Sequence, residues 1–242
     1  MPSNLAKIFH AAVLPLALAA LAGGCGGKEP PALRGRAAAT DWARLETSHR
    51  TLTLLRQQLA SLPLDRRREE REALEHKAEA QARNYSARLV LFLNSTGKEA
   101  DPALRRAAIG RKSAEDLYVA RQFIERAGDY RRAVEICEAA LALDPQNPDL
   151  ERVLAEAREM RFATPERFAR LKEGMAPAEV RAILGPPNLH NVRSYPGGVV
   201  GWFYDRDERG AAAGIWFEPR GKDLAVYALA FDAVDSGSPR AR

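Results

Sequence analysis

The sequence has few of the residues that carry metal or nucleophilic chemistry. It contains two cysteines, Cys25 and Cys137, and four histidines, and it lacks HExxH, CxxC and GxSxG motifs. His49 and His76 lie on polar helical stretches and are expected to be solvated. Because catalysis needs nucleophiles, bases or ligands that converge, we predict that the protein is not an enzyme and has no catalytic residues, metal or other cofactor.

The chain also lacks a block of one charge and a hydrophobic run long enough for a membrane span. Its net charge of +5 is spread along the sequence, whereas nucleic-acid binding calls for a clustered basic face. We therefore expect no nucleic-acid partner. The longest apolar run, Ile8 to Leu21, would form a helix of about 21 Å, whereas hydrocarbon is about 30 Å thick. This run is typical of a cleaved export signal.

The end of this run resembles the lipobox of bacterial lipoproteins. It reads Leu21-Ala22-Gly23-Gly24-Cys25, although the usual box has its leucine where Ala22 stands. The resemblance implies that residues 1–24 are a signal peptide and that Cys25 becomes the N-terminus and the lipid attachment site. Acyl chains such as palmitate would then hold the protein to a membrane. The alternative is an ordinary secretory signal, cut at Ala22 or Gly24, that leaves Cys25 free.

The residue after the cysteine bears on location. An aspartate there often retains lipoproteins in the inner membrane, and here the residue is Gly26. The resemblance thus implies the cell envelope, with the periplasmic face of the outer membrane as the default. If Cys25 is lipidated, Cys137 has no disulfide partner, and we interpret it as a small core residue.

Residues 25–39 are predicted to be a lipidated flexible tether, and helical spacing begins at Thr40, a candidate N-cap. Pro63 ends the first helix and Asp65 caps a second one, which extends to Asn94. Each helix has an apolar face, made of Leu45, Leu52, Leu55, Leu59 and Leu62 in the first, and of Leu74, Ala78, Gln81, Tyr85, Leu89 and Phe92 in the second. The short break favours an antiparallel hairpin over residues 40–94, and a kinked continuous rod is the alternative.

Residues 114–147 resemble one tetratricopeptide (TPR) repeat. The matching residues are Leu117, Ala120, Ile124, Gly128, Asp129, Tyr130, Ala133, Ala140, Leu141, Asp144 and Pro145, and the departure is Arg121, where the family has Gly or Ala. One repeat cannot bury its own faces. We therefore expect residues 149–162 to form a capping helix, and the hairpin or residues 102–112 to cover the other side. The predicted helical block spans residues 40–162.

From Thr164 the pattern changes to that of a small α+β module, residues 164–234, before a disordered tail, residues 235–242. Two short helices are predicted, one from Thr164 and one from Pro177 to Leu184. Four short strands follow, over residues 189–195, 199–204, 212–218 and 224–231. Such strands with tight breaks predict an antiparallel meander, on which the helices lie, and we expect the module to dock on the helix of residues 149–162.

This stretch resembles the SmpA/OmlA (BamE-like) family of small outer-membrane lipoprotein domains. The matching residues are Gly174, Met175, Glu179, Val180, Leu184, Gly185, Pro187, Trp202, Phe203, Tyr204, Phe217 and Gly221. The resemblance covers about 70 residues and implies a link to outer-membrane assembly or maintenance. Known small members carry the module close to the lipid, whereas about 140 residues intervene here.

The sequence thus predicts an α+β protein: an all-α block, made of a helical hairpin and a TPR-like pair, precedes a small α+β module. The predicted structural residues are Gly128, Ala133, Ala140, Pro145, Gly174, Met175, Val180, Gly185, Pro187, Trp202, Tyr204 and Phe217. The leading functional hypothesis is a membrane-tethered periplasmic adaptor that binds envelope proteins, with no small-molecule ligand. The alternatives are a small-ligand or lipid carrier, with a pocket in the sheet, and an inhibitor-like module with Trp202, Tyr204 and Trp216 partly exposed.

Overall fold

The computed structural model describes residues 31–62, 68–94 and 101–233. The predicted signal peptide, Cys25, Pro63, Asp65 and the tail of residues 235–242 lie outside these ranges. The chain divides into two compact units, Met1–Glu115 and Asp116–Arg242. The predicted helical block of residues 40–162 is thus divided, and residues 116–147 of the TPR-like repeat belong to the same unit as the sheet.

The first unit contains the predicted antiparallel hairpin. Helix α1 (Pro31–Ser61) and helix α2 (Arg68–Asn94) pack along their lengths. Trp42 lies against Phe92, whereas His49, further along α1, lies against Tyr85. The two helices therefore run in opposite directions. The predicted apolar faces are buried or half-buried throughout.

The start of α1 corrects one prediction. The helix begins at Pro31, so residues 31–39 are not part of a flexible tether, and Thr40 is not an N-cap. Proline is favoured in the first turn of a helix, and the alanines at 37–39 are the best helix formers. Inside the helix, the Thr40 hydroxyl donates a hydrogen bond to the Arg36 carbonyl at 3.0 Å.

Helix α3 (Pro102–Gln122) is continuous across the predicted start of the TPR-like repeat at residue 114. It continues as a π-helical turn, Phe123–Ala127, and ends at Gly128, whose φ of 61° is left-handed. Helix α4 (Tyr130–Leu141) follows at once, because the Asp129 side chain accepts a hydrogen bond from the Arg132 amide. Helix α5 (Pro148–Met160) packs on α4 after the Asn147 cap.

The predicted meander is confirmed. Strands β1 (Val192–Ser194), β2 (Val200–Asp205), β3 (Ala212–Arg220) and β4 (Asp223–Ala233) pair antiparallel in chain order. The first strand is shorter than predicted, because residues 189–191 form a 3₁₀ turn. At the start of this turn, the Asn188 side chain accepts a hydrogen bond from the His190 amide.

Two short helices, α6 (Pro165–Phe168) and α7 (Pro177–Leu184), supply the second layer of this module. The predicted helix start at Thr164 is confirmed, and the Thr164 side chain caps α6. At the start of α7, the Glu179 side chain accepts a hydrogen bond from the Ala176 amide at 2.7 Å. The core between helices and sheet is filled by Leu171, Val180, Leu184, Trp202, Tyr204, Ile215, Phe217 and Val226.

Candidate interaction site

Two ion pairs join α1 to the part of α3 that lies in the first unit. Arg56 makes a bidentate pair with Glu115, with nitrogen–oxygen distances of 2.9 and 2.7 Å, and the Glu115 side chain is 5% exposed. About three turns nearer the start of α1, Glu46 makes a second bidentate pair with Arg111, with both nitrogen–oxygen distances at 3.0 Å. Bidentate pairs fix geometry as well as charge, so these pairs set how α3 lies on α1.

A histidine and a tyrosine lie between α1 and α2 in the same unit. The His49 and Tyr85 ring centroids are 5.3 Å apart. Burial lowers the pKa of His49, and the nearby Arg111 guanidinium lowers it further. Burial also raises the pKa of Tyr85 to about 12, with a smaller contribution from the Glu115 carboxylate. His49 is therefore half-buried and less solvated than expected, whereas His76 is exposed as expected.

An open groove of about 480 Å³ lies between α1 and α3 in the first unit. Its lining residues are Trp42, Glu46, Ala107, Gly110 and Arg111. The groove exists because α3 presents small residues here: a β-carbon added at Gly110 would meet nothing within 4 Å. Trp42 supplies a half-buried aromatic wall, and the Glu46–Arg111 pair supplies both charges.

The lining of this groove suits protein recognition. Trp and Arg are enriched where partners bind most tightly. At the rim, the paired Glu46 carboxylate can accept a further hydrogen bond, and the Arg111 guanidinium can donate one. The sequence alone does not predict this site. Its signal is limited to a tryptophan on one helix and two small residues on another, and only the helix packing brings them together.

The predicted structural residues are brought together in the second unit. Gly128 approaches the Pro186 and Pro187 carbonyls so closely that a β-carbon could not fit, and a β-carbon at Gly185 would collide with the Tyr130 hydroxyl. The Tyr204 hydroxyl donates a hydrogen bond to the Gly185 carbonyl at 2.9 Å. Residues from both resemblances therefore form one joint between the TPR-like helices and the sheet module.

This joint bears out the expected docking of the module and adds to it. The Ala163 amide, just after α5, donates to the Asp205 carbonyl at the end of β2 at 2.8 Å, and the Met160 side chain lies next to Gly185. The contact includes α5, as predicted, and the turn at Gly128 and the start of α4 also take part in it. The TPR-like pair is thus packed against the sheet module.

The remaining predicted residues occupy the expected environments. Ala133, Ala140, Val180, Trp202, Tyr204 and Phe217 are all below 8% exposed. Gly174 and Gly185 have positive φ, of 88° and 79°. Met175 packs on the core under the sheet, Pro187 is buried, and Pro145 is exposed in the turn between α4 and α5.

Cys137 is a core residue, as predicted. It is 0% exposed on α4, and burial raises the pKa of its thiol to about 11. The other cysteine, Cys25, lies outside the described residues.

Within residues 31–62, 68–94 and 101–233, no group of three or more His, Cys, Asp or Glu side chains could hold a metal ion. None of the helices in the same ranges has the length and hydropathy needed to cross a membrane.

Comparisons of the chain with protein families, with curated proteins and with solved structures gave no match.

Proposed function

We propose that this protein is a lipoprotein of the cell envelope, anchored through Cys25 at the periplasmic face of the outer membrane, where it acts as an adaptor that binds other envelope proteins. The observation that carries the anchor is the stretch Leu21 to Cys25, which follows an apolar run of signal-peptide length. The resemblance of residues 174–221 to the SmpA/OmlA family supports the same membrane and suggests outer-membrane assembly or maintenance as the process.

The geometry of the first unit supports the adaptor role. Helix α1 begins six residues after Cys25, and six extended residues span at most about 20 Å. The start of α1 would therefore lie near the membrane surface, and the groove would begin at Trp42, at most about 17 Å further along the helix, where a second envelope protein can reach it. Its Trp42 wall and its paired charges are the features expected of a protein-binding site.

The two alternative functions find less support in the second unit. A carrier needs an apolar cavity under the sheet of roughly 300 Å³, but the Trp202, Ile215 and Phe217 side chains that would line it pack against each other there. The inhibitor-like module requires exposed aromatic residues. Trp202, Tyr204 and Trp216 are 6%, 7% and 3% exposed. The solid core favours the adaptor.

The anchor is tested by metabolic labelling of the full-length protein with an alkyne analogue of palmitate. We expect label on the wild-type protein and none on Cys25→Ser, and we expect the intact mass of the mature wild-type chain to begin at Cys25 with its acyl groups. Cys137→Ser is the matched control and should label like wild type, because the Cys137 thiol is buried. Equal labelling of Cys25→Ser would overturn the anchor.

The adaptor role is tested by placing a photo-crosslinking amino acid at Ala107, which lines the groove. The matched control is Ala80, an exposed alanine of α2 outside the groove. In living cells we expect a discrete crosslinked envelope protein from position 107, lost in Cys25→Ser, and no such product from position 80. If both positions give the same products, the groove is not the binding site.

A further inference from the structure

One end of the three-helix bundle, which we call the basic end, is formed by residues 35–44 of α1, 86–94 of α2 and 101–108 of α3. These segments meet in one core. Trp42 lies against Phe92, and Ala38, Leu104 and Ala108 belong to the same hydrophobic cluster. The basic end is thus a single surface of the first unit.

The charged residues of the basic end are mostly arginines. Its arginines are Arg36, Arg44, Arg88, Arg105 and Arg106, and its acidic residues are Asp41 and Asp101. Arg44 lies 3.5 Å from Asp41. Arg36, Arg88 and Arg106 are exposed, and within the described part of the chain none of the three makes an ion pair.

We propose that the basic end is a contact surface for the anionic phospholipid headgroups of the membrane that carries the anchor. This inference rests on the proposed function, because the anchor at Cys25 is what brings the surface to the lipid. Five residues separate Cys25 from Pro31, the start of α1, so the tether holds the start of this helix within about 20 Å of the bilayer. Electrostatic attraction at physiological salt extends over about 8–10 Å. A tether of this length allows the arginines to come within that distance of the headgroups.

Charge and tethering together favour lipid over other anionic partners. The three exposed arginines come from three different helices, which spreads the positive charge over the end of the bundle, as suits a surface of many phosphates. Guanidinium groups bind phosphate oxygens bidentately. A tether this short also gives the adjacent membrane a high effective concentration, so even weak headgroup contacts would be occupied.

The test uses the unlipidated mature-length chain, residues 25–242 with Cys25→Ser, and vesicles of phosphatidylglycerol and phosphatidylethanolamine, with phosphatidylcholine vesicles as the neutral comparison. We expect co-sedimentation with the anionic vesicles at low salt, weakening as salt is raised. The double variant Arg36→Glu/Arg106→Glu should reduce the partition coefficient by at least about 30-fold, since each basic residue near an anionic surface contributes about a fivefold gain and the two introduced glutamates are repelled.

The control is Arg50→Glu/Arg170→Glu, which makes the same change in net charge at two exposed arginines outside the basic end. It should lower binding less than about threefold. The milder Arg36→Gln/Arg106→Gln variant guards against misfolding, and circular dichroism should be unchanged in all variants. Absence of binding to anionic vesicles at low salt, or equal losses in the test and control pairs, would overturn the proposal.

This experiment separates the inference from the proposed function. The vesicle assay uses a chain without acyl groups, so its outcome does not depend on whether Cys25 is lipidated in cells. If the palmitate labelling fails, the proposed anchor is rejected and the vesicle result still stands. Failure of vesicle binding would remove the headgroup contact and leave the anchor as it is.

Discussion

Gly128 lies at a position where both the backbone conformation and a close contact favour glycine. Its φ of 61° is left-handed, and its α-carbon faces the Pro186 and Pro187 carbonyls with no room for a β-carbon. Gly221, in the turn between β3 and β4, has nearly the same φ, 67°, but a β-carbon there would meet nothing within 4 Å. The two glycines therefore separate the cost of the backbone conformation from the cost of the close approach.

We expect Gly128→Ala to lower the free energy of unfolding by about 2–5 kcal/mol, because a left-handed alanine costs about 1–2 kcal/mol and the forced backbone shift adds about 1–3 kcal/mol. Gly221→Ala should cost only the first part, about 1–2 kcal/mol. Urea denaturation of both variants measures the difference. Equal losses would mean that the contact with the Pro186 and Pro187 carbonyls is not a tight one.

Some residue environments could be read from the sequence and others could not. The burial of Cys137 and Trp202 was predictable, because each lies at an apolar position of a regular helix or strand pattern. The contact of His49 with Tyr85 was not. Both residues are amphipathic, and whether a half-polar side chain is buried depends on the neighbouring helix, which the pattern of its own helix does not specify.

At the scale of helices and strands, the Arg56–Glu115 pair ties α1 to α3 across 59 positions of sequence. The pair is unequal: Glu115 is 5% exposed, whereas Arg56 is 22% exposed. Removing one partner takes the bidentate contact away from a charge in a partly buried place, whereas replacing both with apolar residues removes that penalty.

We therefore expect Glu115→Gln to cost about 1–3 kcal/mol of unfolding free energy, and Arg56→Met/Glu115→Leu to recover most of the loss. The control is Arg83→Met, which removes a surface pair with Glu79 at 3.9 Å and should cost less than about 0.5 kcal/mol. Thermal unfolding followed by circular dichroism provides the comparison. If the double variant is less stable than Glu115→Gln, the pair stabilises the bundle more than an apolar contact would.

The helices and strands themselves were largely predictable, because the spacing of their apolar residues and the capping residues at their ends indicate them. Helix α7 has the predicted bounds, and the three longer strands are correct to within two residues. The errors fall where local signals are weak. Gly35 disfavours a helix, but Pro31 and three alanines favour one and α1 starts early. Gly110 and Ser113 could mark a break near residue 114, but α3 continues through both.

At the scale of the whole molecule, buried tyrosines make stability depend on alkaline pH. Burial raises the pKa of Tyr85 in the first unit to about 12, and that of Tyr130 in the second unit to about 12, from an ordinary value of 10.0. The folded state favours the neutral phenol. Their contribution is therefore complete below pH 10 and is lost as the pH rises towards 12.

We expect the free energy of unfolding to fall between about pH 10 and 12, by up to about 1.4 kcal/mol per pH unit for each buried tyrosine. Cys137, whose pKa is raised to about 11, should begin the decline from about pH 9. Urea midpoints between pH 8 and 11.5 measure the slope. Tyr85→Phe should make the slope shallower above pH 10, and a midpoint independent of pH would contradict this account.

The division into units was the least predictable property of the chain. Two resemblances suggested a border near residue 163, yet residues 116–242 form one compact unit. The reason lies in the joint around Gly128, Tyr130 and Gly185. Contacts of this kind depend on shape complementarity between two surfaces, which the periodicity of either surface does not encode.

The burial of Cys137 has a consequence for biogenesis. For a chain exported as proposed, the periplasm oxidises exposed thiols, and an unpaired cysteine invites crosslinks to other newly secreted chains. Helix α4 carries this cysteine and packs on α5, which begins only a few residues after α4 ends. Local contacts of this kind form early in folding, so the Cys137 sulfur would be buried soon after translocation. If α4 and α5 folded slowly, covalent dimers would appear on non-reducing gels.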